Sequence, residues 1–296
     1  MSKFINPFTD YGFKLIFGRE VSKILLIEFL NDLLEGERVI TDLTFLNNEQ
    51  LPDYPEGRGI IYDVYCTTDT GEKIIVEMQN RMQSNFKERS IFYLSRAIVN
   101  QGRTGHDWKF EIKAVYGVFL MNFIMDKNIK LRTDVILADK ETGELFSEKF
   151  RQIFIALPLF KKSEEECETN FERWIYILNN METLKRLPFK ARKAVFEKLE
   201  EIADVASMSP KERELYDNSV KVYRDYLVTM DAAEKEGIKK GMEEGLEEGL
   251  KKGLKKGREE ALNIFQTAID MKKQGIDNQL IAEKTGLPLS LIESLK

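Results

Sequence analysis

The chain has 296 residues, 43% of them hydrophobic and 32% charged, which suffices for one large domain or a domain with appendages. Its 45 Lys and Arg against 50 Asp and Glu leave a formal net charge of −5, so a nucleic-acid partner needs a local basic surface or a metal ion. No run approaches the roughly 18 apolar residues of a membrane span, and the opening Met1-Ser2-Lys3-Phe4-Ile5-Asn6-Pro7 is too broken by polar residues for a secretory signal, so the expected location is the cytoplasm, with no membrane partner.

In chain order, residues 20–35 read as a helix, with Val21, Ile24, Leu25, Ile27, Leu30, Leu33 and Leu34 on its apolar face and Gly36 ending it. A strand is expected over 39–46, then a loop from Asn47 to Gly59 that contains Pro52 and Pro55. Two short β-rich runs follow, 60–66 and 73–79. Residues 83–101 are helical in pattern, and 112–123 form a long apolar strand of central-sheet character. Further strands are expected at 131–138 and 151–157, and helices near 164–181, 188–206 and 210–232. Cys66 and Cys167 lie about a hundred residues apart, the spacing of reduced thiols and not of a metal knuckle. The single histidine, His106, argues against multi-histidine zinc sites and most serine or cysteine triads. Chemistry then falls to carboxylates, lysines and amides, and oxygen-rich sites of that kind select Mg²⁺ or Mn²⁺.

The two short runs form an antiparallel hairpin closing on Asp69-Thr70-Gly71, with Gly in the left-handed position. Pairing Thr68 with Glu72 sets the register, and counting back places Asp63 opposite Glu77. Side chains alternate, so Ile61, Asp63 and Tyr65 share a face with Ile75, Glu77 and Gln79. Two facing carboxylates repel each other, and a divalent cation between them turns that repulsion into binding energy. The spacing alone equally allows an exposed hairpin whose polar face meets water.

This order of elements resembles the restriction-endonuclease-like PD-(D/E)XK nucleases and, more closely, the Rpn family of recombination-promoting nucleases, also described as PD-(D/E)XK family transposases. The matching stretches are Thr9–Gly18, Leu25–Asn31, Ile75-Val76-Glu77-Met78-Gln79, Phe86–Arg96, Val115–Phe123 and Phe154–Phe160, and the resemblance covers roughly residues 6–180. It implies a metal site formed by Asp63, Glu77 and the backbone carbonyl of Met78, with Glu28 as a further carboxylate, directly or through water. Gln79 stands where the broad superfamily has lysine; a neutral amide orients water or phosphate but carries no charge. Arg89 is expected to supply that charge to the transition state, and Tyr93, one turn further on, to help position the phosphate. Asp10 and Lys14 match the opening motif with a role that is catalytic or structural.

From Gly237 to Gly257 a glycine recurs every four residues, each followed by Ile, Met, Leu or Arg and then a like-charged pair. Six glycines cost a helix roughly 1 kcal/mol each, so this stretch is either a marginal helix that orders on self-association or a flexible spacer. Residues 274–295 resemble half of a helix-turn-helix, but the segment Pro288–Leu295 has no basic residue for phosphates. That tail is either a DNA reader or a small packing or oligomerising module.

The expected fold is α/β: a restriction-endonuclease-like mixed sheet flanked by helices, followed by a helical C-terminal region. The expected divisions are a nuclease core over 1–160, a helical extension over 161–232, a repeat linker over 233–260 and a helix-turn-helix-like tail over 261–296. The expected function is a Mg²⁺-dependent deoxyribonuclease, with Mn²⁺ as substitute, acting on DNA in recombination or on mobile DNA, and possible homo-oligomerisation through the repeat. The alternative is a catalytically silent nuclease fold that binds DNA or assembles.

Overall fold

The computed structural model describes residues 2–51, 58–103, 105, 108–190 and 193–295; Pro52, Pro55 and His106 lie outside them. The chain divides into two compact units, 1–224 and 225–296.

Unit one is a three-layer α/β structure. Its sheet has six strands in the order β1 (Leu43–Phe45), β4 (Val64–Thr68), β5 (Lys73–Gln79), β6 (Val115–Met121), β8 (Leu145–Ala156) and β7 (Arg132–Ala138). The pairs β5–β6 and β6–β8 are parallel, and the other three are antiparallel, so the sheet is mixed. A separate short ladder joins β2 (Glu49–Gln50) to β3 (Ile60–Ile61).

The central strands are apolar on both faces because helices cover both. On one face Val64, Ile74, Val76, Val118, Leu120 and Ile153 meet α1 (Asp10–Phe17), α2 (Lys23–Leu33), α4 (Asn170–Asn180) and α5 (Val195–Ala203) in a core built around Trp174, Phe29 and Phe17. On the other face Tyr65, Ile75, Phe119 and Phe154 meet α3 (Phe86–Val99) through Phe86, Leu94 and Ala97. Gly117 permits that approach, because a Cβ there would stand 2.5 Å from the Leu94 side chain.

Several boundaries differ from the sequence expectation. The eight-residue α1 was not anticipated; Thr9 caps it by accepting from the Gly12 N–H at 3.0 Å. The expected 60–66 strand is interrupted, leaving Tyr62 and Asp63 outside the ladder. The helix expected near 164 starts at Asn170, where Thr169 and Glu172 form a reciprocal capping box. Between the open alternatives for the repeat, the structure has helix: α6 runs from Pro210 to Lys273.

In unit two, α7 (Asn278–Thr285) and α8 (Leu289–Ser294) pack with the end of α6 around Ala268, Ile281 and Ile292. Gly275 and Gly286 make the two turns at φ +74° and +69°.

Candidate metal centre

The hairpin register is the one that alternation requires. Val64 pairs with Val76, Tyr65 with Ile75, Cys66 with Ile74 and Thr67 with Lys73, so Asp63 falls opposite Glu77 one step beyond the last pair. The Thr68 N–H donates to the Glu72 carbonyl at 2.9 Å and Gly71 turns the chain at φ +93°. Bonded and non-bonded pairs alternate along such a ladder, so 63/77 is a non-bonded pair, the kind whose side chains lie closest.

At that point the ladder breaks. Two residues beyond Val64–Val76, Tyr62 would bond with Met78. Instead the Tyr62 N–H donates to the Asn48 carbonyl (3.0 Å) and the Met78 N–H donates to Asp63 Oδ2 (2.9 Å). A strand residue's N–H and C=O point to the same side, so the Met78 carbonyl faces the break after the Tyr62 amide has been drawn away. Asn48 Nδ2 also holds the Asp63 carbonyl at 2.9 Å. Sequence reasoning did not identify Asn48, because its partners lie 14 and 15 residues away across a loop.

Glu77 is 1% exposed and bonded on both oxygens. Its Oε1 accepts from the Asp63 N–H at 3.0 Å and its Oε2 from Gln79 Nε2 at 2.9 Å. Arg89 is its cationic neighbour, with Nη2 standing 3.8 Å from Glu77 Oε2. Burial, and then the Asp63 charge, push the Glu77 carboxyl well above the usual carboxylate range despite the Asp63 amide, Arg89 and Gln79. Asp63 is raised as well, again mainly by burial; the Met78 amide, Lys14 and Arg89 work against the rise and Asp10 adds to it. Asp63 Oδ1 accepts no hydrogen bond among the described residues.

Arg89 is held on three sides. Its Nε donates to the Tyr93 hydroxyl and its Nη1 to Gln83 Oε1, both at 3.0 Å, and its guanidinium lies 4.9 Å from the Tyr93 ring centroid. Arg89 and Tyr93 therefore share the α3 face that the sequence spacing put them on. Tyr62, fully buried, anchors this face by donating from its hydroxyl to the Tyr93 carbonyl at 3.0 Å. On the far side of Asp63, Lys14 and Asp10 form an i,i+4 ion pair of 2.7 Å on α1, and both reach Asp63 electrostatically.

Glu28 is not gathered with these groups. Its carboxylate pairs with Lys193 at 2.7 Å, next to Asp32, which accepts from the same Lys193 and from the Trp174 indole. Among the described residues no three or more His, Cys, Asp or Glu side chains form a metal-holding group. The residues present still fit a hard cation: a buried and a half-buried carboxylate that repel each other, one carboxylate oxygen with no donor among the described residues, and a backbone carbonyl at a broken ladder. Mg²⁺ commonly takes only one or two carboxylates and keeps several waters.

A mixed α/β sheet whose central hairpin opens onto a facing acidic pair defines the class of restriction-endonuclease-like nucleases. Within that class, the sequence model of the PD-(D/E)XK nuclease family transposases matches residues 7–233, and the chain belongs to that family. Comparison with curated proteins and with solved structures gives no match. No helix among the described residues is long and apolar enough to cross a membrane.

Proposed function

We propose that the chain is a divalent-metal-dependent DNA endonuclease that hydrolyses phosphodiester bonds in recombination or in action on mobile DNA. One observation carries this reading: half-buried Asp63 faces buried Glu77 where the β4–β5 ladder breaks, with the Met78 carbonyl turned to the same break. Asp63, Glu77 and that carbonyl would hold Mg²⁺, or Mn²⁺ in its place. When bound, the ion polarises the scissile phosphate and lowers the pKa of the attacking water.

The chain's own residues do the rest. Arg89, fixed in plane by Tyr93 and Gln83, presents its charge to the oxygens on which negative charge gathers in the transition state. The Tyr93 hydroxyl lies beside it as a second phosphate contact. Gln79 donates its amide N–H to Glu77, which leaves its carbonyl oxygen to orient a water. Lys14 stands in the cationic role on the Asp63 side.

Cleavage of supercoiled plasmid with Mg²⁺, Mn²⁺ or chelator tests the reading, using wild type, Asp63→Ala and Glu77→Ala. Metal-dependent cutting that both substitutions leave intact would overturn it. The uncharged Gln79 favours a second reading, a silent nuclease fold that binds DNA or assembles; tight DNA binding without cutting in either metal would select it.

Self-association through α6 is part of the proposal. A Cβ added at any glycine from Gly237 to Gly257 would meet nothing within 4 Å, so the chain itself does not require those glycines. Beside them Met242, Leu246, Leu250 and Leu254 are 58–72% exposed. An antiparallel second copy centred between Gly249 and Leu250 sets Gly245 against Leu254, Gly253 against Leu246 and Gly257 against Met242. The same register brings Glu247-Glu248 to Lys252-Lys251, Glu243-Glu244 to Lys256-Lys255 and Lys239-Lys240 to Glu260-Glu259, whereas a parallel in-register pair opposes like charges throughout. Light scattering of the full chain checks this: a dimer for wild type, and a monomer for Gly245→Ala/Gly249→Ala/Gly253→Ala, although alanine strengthens the helix.

A further inference from the structure

A second surface lies at the other end of α3 from Arg89. Twelve residues separate Arg89 from Gln101, about 18 Å along a helix at 1.5 Å per residue. There a cavity of about 890 Å³ opens between the hairpin turn at Gly71, the end of α3 and the segment leading into β6. Gln101 fixes that segment: its Oε1 accepts from the Lys113 N–H at 2.8 Å and its Nε2 donates to the Lys113 carbonyl at 3.2 Å.

The lining has an unusual charge balance for an acidic protein. Lys73, Arg103, Lys113 and Lys149 face it, with Glu111 as the one acid among the described residues. None of those four cations has a carboxylate within ion-pairing distance among the described residues; Lys73 donates instead to Thr67 Oγ1 at 3.0 Å. Two aromatic rings complete the lining. Trp108 lies against Gly102, and Phe110 sits 4.6 Å from it, centroid to centroid, tilted by 37°. Phe110 is 77% exposed and holds φ +57°, a conformation that costs a bulky residue energy. Among the described residues nothing buries that ring in return.

Cations without a carboxylate partner, around a tilted ring pair of half-buried Trp108 and exposed Phe110, match one ligand chemistry: flat bases joined by phosphates. We propose that this groove is an accessory nucleic-acid site, which stacks an unpaired base on the Trp108–Phe110 platform and holds the adjoining backbone with Lys73, Arg103, Lys113 and Lys149. The choice of a nucleic acid over other aromatic anions rests on the nuclease reading above. The groove lies too far from Asp63 and Glu77 to take part in bond cleavage, so it anchors substrate outside the scissile phosphate and compensates locally for the net charge of −5.

The two tryptophans give a direct assay. Trp174 is fully buried, so quenching of emission by an added strand reports Trp108. The full chain is titrated with 16-nucleotide oligodeoxythymidylate in chelator, reading Trp emission and, with a labelled strand, anisotropy. Expected are a saturable quench, absent in Trp108→Phe, and affinity that falls about tenfold or more in Lys113→Glu/Lys149→Glu and in Trp108→Ala/Phe110→Ala, steeper at low salt for the wild type. All four positions are away from the core, and circular dichroism checks that the variants fold. Binding without any quench, or affinity unchanged in both double variants, overturns the groove. So does quenching by vesicles of anionic phospholipid but not by the strand. Plasmid cutting by the wild-type chain is measured in parallel: a saturable quench in a wild-type chain that cuts with neither metal leaves the groove standing while the nuclease reading falls, and cutting without a quench does the reverse.

Discussion

The two ends of the β4–β5 hairpin each carry a partly or fully buried glutamate, and the chain treats them in opposite ways. At the turn, burial raises the Glu72 carboxyl, but the hydroxyls of Thr68 and Thr70, a backbone N–H and Arg38 outweigh it and bring it down to about 2. At the open end, the donors around Glu77 are fewer than its burial demands, a second carboxylate faces it, and Arg89 stays at 3.8 Å, so the group is pushed up. Glu72 is a clasp whose charge the fold has satisfied. Glu77 is a charge the fold has left wanting, and unmet demand of that kind marks a binding site.

The largest expected break in this comparison is functional. Asp63→Ala and Glu77→Ala should each lower metal-dependent plasmid cleavage by about a thousandfold or more, since each removes half of the carboxylate pair, while Glu72→Gln should leave it within about twofold. Equal losses in all three would mean that the ends do not differ. Next, Arg89→Ala should cost about a hundredfold in cleavage rate, the scale of one transition-state charge contact, with Arg89→Lys recovering part of it. Metal affinity, followed by calorimetry, should change far less than rate.

Metal addition sharpens the contrast in stability. Mg²⁺ or Mn²⁺ at about a hundred times its dissociation constant should stabilise the fold by about 2.7 kcal/mol, reversed by chelator, since it binds the folded site alone. Asp63→Asn should abolish that response and, by removing the facing charge, raise the melting temperature of the metal-free protein. A metal response that survives Asp63→Asn would place the ion elsewhere.

The hairpin was legible because turn chemistry and alternation fix it locally: Gly71 supplies the left-handed residue, and a two-residue period then assigns every side chain to a face. The break beside Asp63 was not, since Ile60, Ile61 and Tyr62 are all good strand formers and the Tyr62 amide is lost only because Asn48 lies within reach in three dimensions. Glu28 was hard to place for a related reason. Its helix is plain in the sequence, but its partner Lys193 is 165 residues away, and only packing of α2 against the segment before α5 brings them together. The α1 helix escaped notice because eight residues give the 3.6-residue period barely two turns. The repeat was ambiguous because glycine's helix cost and the Glu–Lys i,i+4 pairs, six of which form between Glu236 and Glu260, pull in opposite directions.

The smallest effect separates the two glutamates by pH. Glu72 has a folded-state value of about 2 against an ordinary 4.5, so the folded state binds its proton more weakly than the unfolded chain. Its contribution is therefore fully present above the unfolded value and is lost as pH falls from about 5 toward 2. After allowance for solvent screening, that contribution is about 1 to 2 kcal/mol. Glu77 has the opposite sign, because its raised folded-state value makes the metal-free fold lose stability as pH rises above the ordinary glutamate range. Urea unfolding of wild type, Glu72→Gln and Glu77→Gln in chelator, at pH 3, 5 and 8, reads both. Glu72→Gln should cost stability at pH 5 and 8 and about half as much at pH 3, while Glu77→Gln should be neutral at pH 3 and stabilising at pH 8. The same pH dependence in both variants would show that the fold satisfies the two carboxylates alike, and the distinction between clasp and site would fall.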